Sequence, residues 1–138
     1  MKFGVFDWVD ETGRDLGDTY EERLRVVRYA EEAGFYAYHL AEHHATALCT
    51  TPSPNIFLSA VASHTRRIRF GPLGVLLPLY NPLRLMEELC MLDQLSQGRL
   101  ELGLGRGVSG VEVALFGVDP EESRAMFHEA LAILLQGL

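Results

Sequence analysis

The segment Ile68-Arg69-Phe70-Gly71-Pro72-Leu73-Gly74-Val75-Leu76-Leu77 is a nearly continuous apolar run in the middle of the chain. Strands buried on both faces of a parallel sheet have this composition, whereas strands with one face in water alternate between apolar and polar residues. The run therefore predicts a strand of a parallel sheet over residues 68–77. Helical patterns flank it at residues 54–65 and 81–98, as such a sheet requires.

The same alternation of strand and helix patterns extends along the chain. Strands are predicted over residues 2–7, 36–41, 68–77 and 99–104, and helices over residues 19–34, 54–65, 81–98 and 119–135. Thr19 and Glu22 have the capping-box spacing of a helix start. No Asn-Gly or similar hairpin signal joins neighbouring strands. We therefore predict one α/β domain over residues 1–138, with four parallel strand-helix units joined by right-handed crossovers.

The composition is that of a soluble globular protein, with 48% hydrophobic residues, 22% charged residues and a net charge of -7. The negative charge argues against a nucleic-acid partner. The longest uncharged apolar stretch, Leu73 to Tyr80, contains Pro78 and is far shorter than the roughly 20 residues of a membrane span. Cys49 and Cys90 show neither C-x-x-C spacing nor a disulfide framework. We expect a cytoplasmic protein without a membrane partner.

The segment Leu40-Ala41-Glu42-His43-His44 changes in one step from an apolar strand to a carboxylate and two imidazoles. Neighbouring strand residues point to opposite faces, so one imidazole is expected at a ligand while the other packs or forms hydrogen bonds. Histidine titrates near neutral pH, which suits proton transfer. The residues alone leave open a catalytic site or a hydrogen-bonded polar cluster at a strand end. No further His or Cys lies at ligand spacing, so no metal site is predicted.

Two glycine-containing segments are further candidates for ligand contact. Gly103-Leu104-Gly105-Arg106-Gly107 follows the fourth predicted strand, where glycines let the backbone approach a ligand and Arg106 suits a phosphate. Residues 105–110 match G-x-G-x-x-G, but that dinucleotide motif should end the first strand and open a helix, and residues 111–118 show no clear helix start. Gly71-Pro72-Leu73-Gly74 interrupts the third predicted strand, which indicates a distorted peptide beside a ligand or a bend needed for packing.

In their order and spacing, these residues resemble the bacterial luciferase-like family of flavin-dependent monooxygenases. The resemblance spans nearly the whole chain. It rests on the segments Ala41-Glu42-His43-His44, Gly71 to Pro78, Asn81-Pro82-Leu83-Arg84, Leu92 to Arg99, Gly103 to Gly107 and Phe116-Gly117-Val118-Asp119. The family fold is a TIM (β/α)8 barrel with flavin at the carboxyl ends of the strands. The resemblance therefore implies that this chain is the N-terminal half of such a barrel.

The resemblance also implies a cofactor and a reaction. Family members use reduced FMN, or in relatives the deazaflavin F420. The monooxygenases transfer one atom of O2 to an aldehyde, an alkane or another small organic substrate. A flavin reductase is the partner expected to supply reduced FMN.

By the same resemblance, His43 matches the family's catalytic histidine, an acid/base beside the flavin, and Glu42 would help to fix it. Leu73-Gly74 matches a non-prolyl cis peptide against the isoalloxazine ring. Arg106 matches a residue that helps to bind the flavin phosphate, and Gly105 beside it is assigned to cofactor binding. Gly105 also stands where bacterial luciferase has a reactive cysteine, so light emission with long aldehydes is not implied.

The number of strand-helix units departs from the family pattern. A TIM barrel needs about 250 residues, whereas four of its eight units are predicted here, so the first and fourth strands would be unpaired edges. We therefore expect a truncated member, or a chain that pairs with a second half-barrel or forms a homo-oligomer. A flavin-binding protein without turnover, or an inactive fragment, stays open as an alternative to the enzyme.

Overall fold

The computed structural model describes residues 1–138 as an α/β chain in which short strands alternate with longer helices. The elements in chain order are β1 (Gly4–Asp7), α1 (Leu16–Glu32), β2 (Ala37–Leu40), α2 (Pro54–His64), β3 (Arg69–Pro72), β4 (Val75–Leu76), a 3₁₀ turn (Leu77–Leu79), α3 (Pro82–Ser96), β5 (Leu104–Gly105), α4 (Gly110–Leu115) and α5 (Ser123–Gly137). None of the helices is long and apolar enough to span a membrane.

All strand pairings are parallel, as the apolar run at residues 68–77 predicts. β1, β2 and β3 form one sheet in chain order, with Val5 opposite Tyr38 and Tyr38 opposite Phe70. β4 pairs with β5, and a single parallel bridge joins Phe70 to Leu100. The main units therefore follow one another in the sheet as the alternating patterns predict.

Two of the predicted strands are less regular than expected. The predicted third strand is divided into β3 and β4, because the chain is interrupted at Leu73 and Gly74. The predicted fourth strand contributes one bridge at Leu100 and becomes regular only in β5. Gly71 permits the close contact between these segments, since a Cβ built on it would lie 1.5 Å from the carbonyl oxygen of Glu101. Any side chain at position 71 would force the two segments apart.

Two helices begin at residues other than those predicted. The prediction that Thr19 caps α1 is wrong, because the Asp15 carboxylate accepts hydrogen bonds from two backbone N–H groups of the first turn, at 2.8 and 3.3 Å. Thr19 lies within that turn, and its hydroxyl donates to the Asp15 carbonyl at 3.0 Å. α5 begins at Ser123 rather than at Asp119, whose carboxylate instead caps the preceding turn.

The helices α1 and α2 cover one face of the three-stranded sheet. Tyr38 and Phe70, which are neighbours in the sheet, are fully buried in a cluster with apolar side chains of both helices. A second cluster fills the space between β4, α3 and α5. Phe6 and His39 are neighbours on the opposite face and stay partly exposed. This second face and the carboxyl ends of the strands are the parts of the sheet open to a ligand.

The amino end of β3 is held by a carboxylate from α1. Glu31 Oε1 accepts hydrogen bonds from the backbone N–H groups of Arg66, Arg67 and Ile68, at 2.8, 2.6 and 2.9 Å. Burial opposes ionisation of this carboxyl, but the three donors outweigh burial and hold the pKa of Glu31 below its ordinary value. The contact fixes the end of α1 against the start of β3.

Candidate active site

The segments that follow the parallel strands meet at one edge of the sheet. Trp8 follows β1, residues 42–44 follow β2, and residues 73–74 follow β3. The Trp8 ring stacks on the His43 ring, and Glu42 accepts a hydrogen bond from the backbone N–H of Leu76. The structure thus brings the candidate residues 42–44 close to the segment that follows Gly74. No three His, Cys, Asp or Glu side chains cluster so that they could hold a metal ion.

Glu42 is a buried carboxylate that joins the end of β2 to β4 and the following turn. Its side chain has no exposed surface, and it accepts hydrogen bonds from the Leu76 N–H, the Tyr80 hydroxyl and His44 Nε2, each at 2.9 Å. Burial raises the pKa of Glu42 above its ordinary value, although the three donors oppose this shift. The expectation that Glu42 fixes His43 is therefore corrected, since Glu42 bonds to His44.

His43 is held by other residues, because consecutive side chains of an extended segment point to opposite sides. Its Nδ1 lies 3.0 Å from Glu112 Oε1. Its ring stacks on Trp8, with centroids 4.8 Å apart and 16° between the ring planes. The His43 side chain is 26% exposed, and Nε2 has no hydrogen-bond partner in the protein. Nε2 is therefore the nitrogen available to a ligand.

His44 forms its hydrogen bond through Nε2, whereas His43 forms its own through Nδ1. Its Nε2 lies 2.9 Å from Glu42 Oε1, and the Phe116 ring packs against it edge to face, with centroids 4.6 Å apart. Only 12% of the His44 side chain is exposed. Nε2 is thus engaged in His44 and free in His43, which favours His43 as the residue that exchanges a proton with a ligand.

Glu112, the partner of His43, is a residue that sequence analysis missed. It lies on α4, and the expectation that no helix starts in this region is wrong. The Ser109 hydroxyl accepts a hydrogen bond from the Glu112 N–H at 3.3 Å and so caps α4. The signal was present, because Ser109 and Glu112 have the spacing of a capping box. The flanking glycines and the length of six residues made the helix difficult to recognise.

Trp8 is the second residue that sequence analysis missed. The Asp7 carboxylate at the end of β1 accepts a hydrogen bond from the Val9 N–H at 3.0 Å. Val9 has a φ of 47°, which is unusual for a β-branched residue. Val9 is fully buried, and its carbonyl accepts two hydrogen bonds from Thr50, so the surrounding structure holds this conformation. The turn places Trp8 against His43, and the position directly after a parallel strand was the available signal.

The Leu73–Gly74 peptide bond is cis, as the resemblance implies. Gly74 leaves no room for a side chain, since a Cβ would lie 2.9 Å from the carbonyl carbon of Gly103. The Leu73 side chain is 48% exposed. Gly74 thus lets two backbone segments pack together, and Leu73 is left open to a ligand.

Arg106 follows β5, and its guanidinium has no carboxylate partner. Its Nη1 donates to Ser123 Oγ at 3.2 Å, at the first residue of α5, and the side chain is exposed. A cation at this position suits a phosphate group. Gly105 lies within β5, where it pairs with Leu76. Arg106 and His43 form their hydrogen bonds with different residues, Ser123 and Glu112.

The sequence profile of the luciferase-like monooxygenases matches residues 1–138. The chain belongs to this family. Among its curated relatives, the uncharacterized protein y4wF of Sinorhizobium fredii is 49% identical over 138 residues, which make up 100% of this chain and 40% of the relative. Limonene 1,2-monooxygenase of Rhodococcus erythropolis is 32% identical over 136 residues, which make up 97% of this chain and 35% of the relative. The chain therefore spans less than half the length of these luciferase-like relatives.

Solved structures share the fold of this luciferase-like chain. Monooxygenase RslO1 from Streptomyces bottropensis has a TM-score of 0.92 and 36% identity, over 97% of this chain and 42% of that chain. The oxygenating constituent of 3,6-diketocamphane monooxygenase from Pseudomonas putida, solved in complex with FMN, has a TM-score of 0.91 and 26% identity, over 97% of this chain and 38% of that chain. An F420-dependent secondary alcohol dehydrogenase, solved with an F420-acetone adduct, shares the fold with a TM-score of 0.74 and 22% identity, over 96% of this chain and 40% of that chain.

Proposed function

We propose that this chain is the N-terminal half of a TIM-barrel enzyme that uses reduced FMN and O2 to oxygenate a small organic substrate. Membership of the luciferase-like monooxygenase family supports the reaction class. The observation that carries the proposal is the unpartnered Nε2 of His43 at the carboxyl end of β2. Ligands of parallel α/β barrels bind at this end of the strands.

The residues at the strand ends fit the two chemically different parts of FMN. Arg106 offers an exposed cation without a carboxylate partner, which suits the phosphate, and Gly105 lies beside it. Leu73 offers an exposed apolar side chain next to Gly74, which suits the flat isoalloxazine ring. When bound, reduced FMN would supply the two electrons with which one oxygen atom of O2 enters the substrate and the other enters water.

His43 would hold or transfer a proton at Nε2. Imidazole can take up and release a proton near neutral pH, and a correctly placed acid/base contributes about 10²–10⁴-fold to a rate. The contacts with Glu112 and Trp8 fix the direction of Nε2 before a substrate binds. Glu42 would act on the site indirectly, because it positions His44 and the backbone of Leu76.

The surface around the site favours an apolar substrate of the aldehyde or alkane type. Phe6, Leu73 and Phe116 are each about half exposed. Phe6 contacts Trp8, with ring centroids 5.9 Å apart, and Phe116 contacts His44. Apolar side chains with polar groups at a few fixed points are the usual lining of a site for small organic molecules.

Reduced FMN is preferred to F420 in this proposal. The neighbour that was solved with FMN is 26% identical to this chain, whereas the F420-dependent alcohol dehydrogenase is 22% identical and shares only the fold. An F420 enzyme would transfer a hydride to its substrate without O2. The requirement for O2 therefore separates the two functions experimentally.

The open edge of the sheet supports a second half-barrel as a partner. β1 has a neighbouring strand on one side only, so its other side carries unpaired backbone N–H and C=O groups. We propose that a second copy of the chain, or a further segment of the kind that the longer relatives contain, covers this edge. A flavin reductase would supply reduced FMN. Size-exclusion chromatography with light scattering tests the pairing, and a monomer that binds no flavin would contradict it.

Isotope labelling with ¹⁸O2 tests the proposed reaction. The chain is mixed with chemically reduced FMN, ¹⁸O2 and a panel of apolar aldehydes, alkanes and ketones, and the products are analysed by mass spectrometry. We expect one ¹⁸O atom in the product. A product that forms without O2, or that contains no ¹⁸O, would refute a monooxygenase, and a parallel reaction with reduced F420 and no O2 identifies the alternative.

A further inference from the structure

We infer that Glu112 is a positioning residue that keeps the proton of neutral His43 on Nδ1 and so leaves Nε2 as the proton-accepting nitrogen. The inference rests on the proposed role of His43 and adds to it a residue from α4. His43 Nδ1 lies 3.0 Å from Glu112 Oε1, which is the only hydrogen bond of the His43 ring. Glu112 lies 69 residues further along the chain, so the fold alone creates this contact.

The chemistry of the contact decides which nitrogen carries the proton. An ionised carboxylate only accepts hydrogen bonds, so the bond to Glu112 requires an N–H at Nδ1 of His43. A neutral imidazole has one N–H, so Nε2 is then an acceptor. The opposite tautomer would place the lone pair of Nδ1 against a carboxylate oxygen, which costs at least the free energy of the lost hydrogen bond.

His44 shows the reverse arrangement. The Glu42 carboxylate contacts Nε2 of His44 at 2.9 Å, so the proton of neutral His44 is on Nε2. The two adjacent histidines therefore carry their protons on opposite ring nitrogens, each under the control of its own carboxylate. Because Nε2 of His44 is engaged, His43 is the one of these two adjacent histidines with an open Nε2.

The surroundings of Glu112 suit a residue that sets the orientation of a ring. Its side chain is 11% exposed, and Ser109 fixes the start of its helix. The next residue, Val113, is buried. Trp8 lies against one face of the His43 ring and sets its plane, while the bond to Glu112 sets the rotation of the ring within that plane.

The proton transfer has a simple balance in this arrangement. A proton that arrives at Nε2 converts His43 into an imidazolium with protons on both nitrogens, and the same proton leaves again from Nε2. The proton on Nδ1 stays on His43 throughout, and Glu112 stays a carboxylate. The contact with Glu112 therefore changes between a hydrogen bond from a neutral imidazole to a carboxylate and an ion pair.

Nitrogen NMR of the chain labelled with ¹⁵N-histidine tests the inference without any cofactor. Long-range ¹H–¹⁵N correlations at a pH at which the histidines are neutral separate protonated from unprotonated ring nitrogens, and His43→Gln identifies the signal. We expect the proton on Nδ1 in the wild type and in Glu112→Gln, since the amide oxygen can still accept. Glu112→Ala should move the proton to Nε2, which free imidazole side chains favour. Val111→Ala, an exposed change in the same helix, should leave the proton on Nδ1.

The wild-type spectrum alone shows which ring nitrogen of His43 carries the proton, so the test does not depend on the folding of a variant. A proton on Nε2 of wild-type His43 would overturn the inference, and so would an unchanged tautomer in folded Glu112→Ala. Failure of the proposed function would look different, because the tautomer would be as inferred while no ¹⁸O entered a product. In an active protein, Glu112→Ala should lower kcat with KM unchanged, by less than the about 10²–10⁴-fold of an acid/base group, and Glu112→Gln should lie between.

Discussion

Replacement of Glu42 by Ala should destabilise the chain strongly. The side chain has no exposed surface and accepts hydrogen bonds from the Leu76 N–H, the Tyr80 hydroxyl and His44 Nε2. Each buried donor that loses its acceptor costs about 1–3 kcal/mol. The Tyr80 hydroxyl can rotate and His44 is slightly exposed, so water can replace part of the loss. We therefore expect the free energy of unfolding to fall by about 3–5 kcal/mol, the range for removal of one member of a buried polar pair.

Glu42→Gln separates the charge of this residue from its shape. The amide oxygen can still accept from Tyr80 and His44, whereas the amide NH2 would face the Leu76 N–H. Burial raises the pKa of Glu42, so removal of the buried charge offsets part of the lost bonding. We expect a loss of about 1–2 kcal/mol for this variant.

Urea unfolding at pH 7, followed by circular dichroism, measures both losses if the m-value is unchanged. Glu121→Ala is the control, because Glu121 is exposed and its side chain forms no hydrogen bond; its effect should stay within about 0.5 kcal/mol. The expected order of stability is wild type, Glu42→Gln and Glu42→Ala. If Glu42→Ala were as stable as Glu121→Ala, the conclusion that Glu42 joins β2 to β4 would be refuted.

Three further predictions concern other parts of the chain. Gly71→Ala should destabilise the fold by roughly 3 kcal/mol or more, because its Cβ would lie 1.5 Å from the Glu101 carbonyl oxygen. Gly110→Ala is its control in thermal melting, since its Cβ would meet nothing closer than 3.9 Å. Glu31→Ala should cost about 1–2 kcal/mol at pH 7. Because the pKa of Glu31 is lowered in the folded state, that difference should shrink as the pH falls below the ordinary value of 4.5 and vanish once the folded carboxyl is protonated; urea unfolding at pH 7 and pH 3 that gave equal differences would contradict this. Arg106→Ala should weaken FMN binding by about 10–100-fold and leave the binding of riboflavin, which has no phosphate, unchanged in fluorescence titrations; equal losses for both would exclude the phosphate role.

The order of the strand-helix units follows from hydrophobic patterns, but the ends of the elements do not. The apolar run at residues 68–77 identifies a buried parallel strand, because its composition reflects burial on both faces. Its division into two strands falls at Leu73 and Gly74, where Gly74 packs closely against Gly103, which is a contact between distant segments. Asp15 and Thr19 both have capping chemistry, and the sequence does not show which of them begins α1.

The location of the candidate site could be predicted, but the partners of its residues could not. Residues 42–44 follow a strand, so the sequence places them at a strand end. The contact of His43 with Glu112 joins residues 69 positions apart, and no spacing rule gives such a pair. The position of Trp8 depends on a left-handed backbone conformation at Val9. The residue that usually indicates this conformation in a sequence is glycine, and none stands there.

The proposed function depends on the transfer of a proton at Nε2 of His43 during a flavin-dependent oxygenation. The most direct test is the rate of ¹⁸O-labelled product formation at saturating reduced FMN, measured for the wild type and for His43→Gln together with their affinities for FMN. His43→Gln should lower this rate by about 10²–10⁴-fold and leave FMN affinity unchanged. Equal rates of labelled product in the two proteins would contradict it.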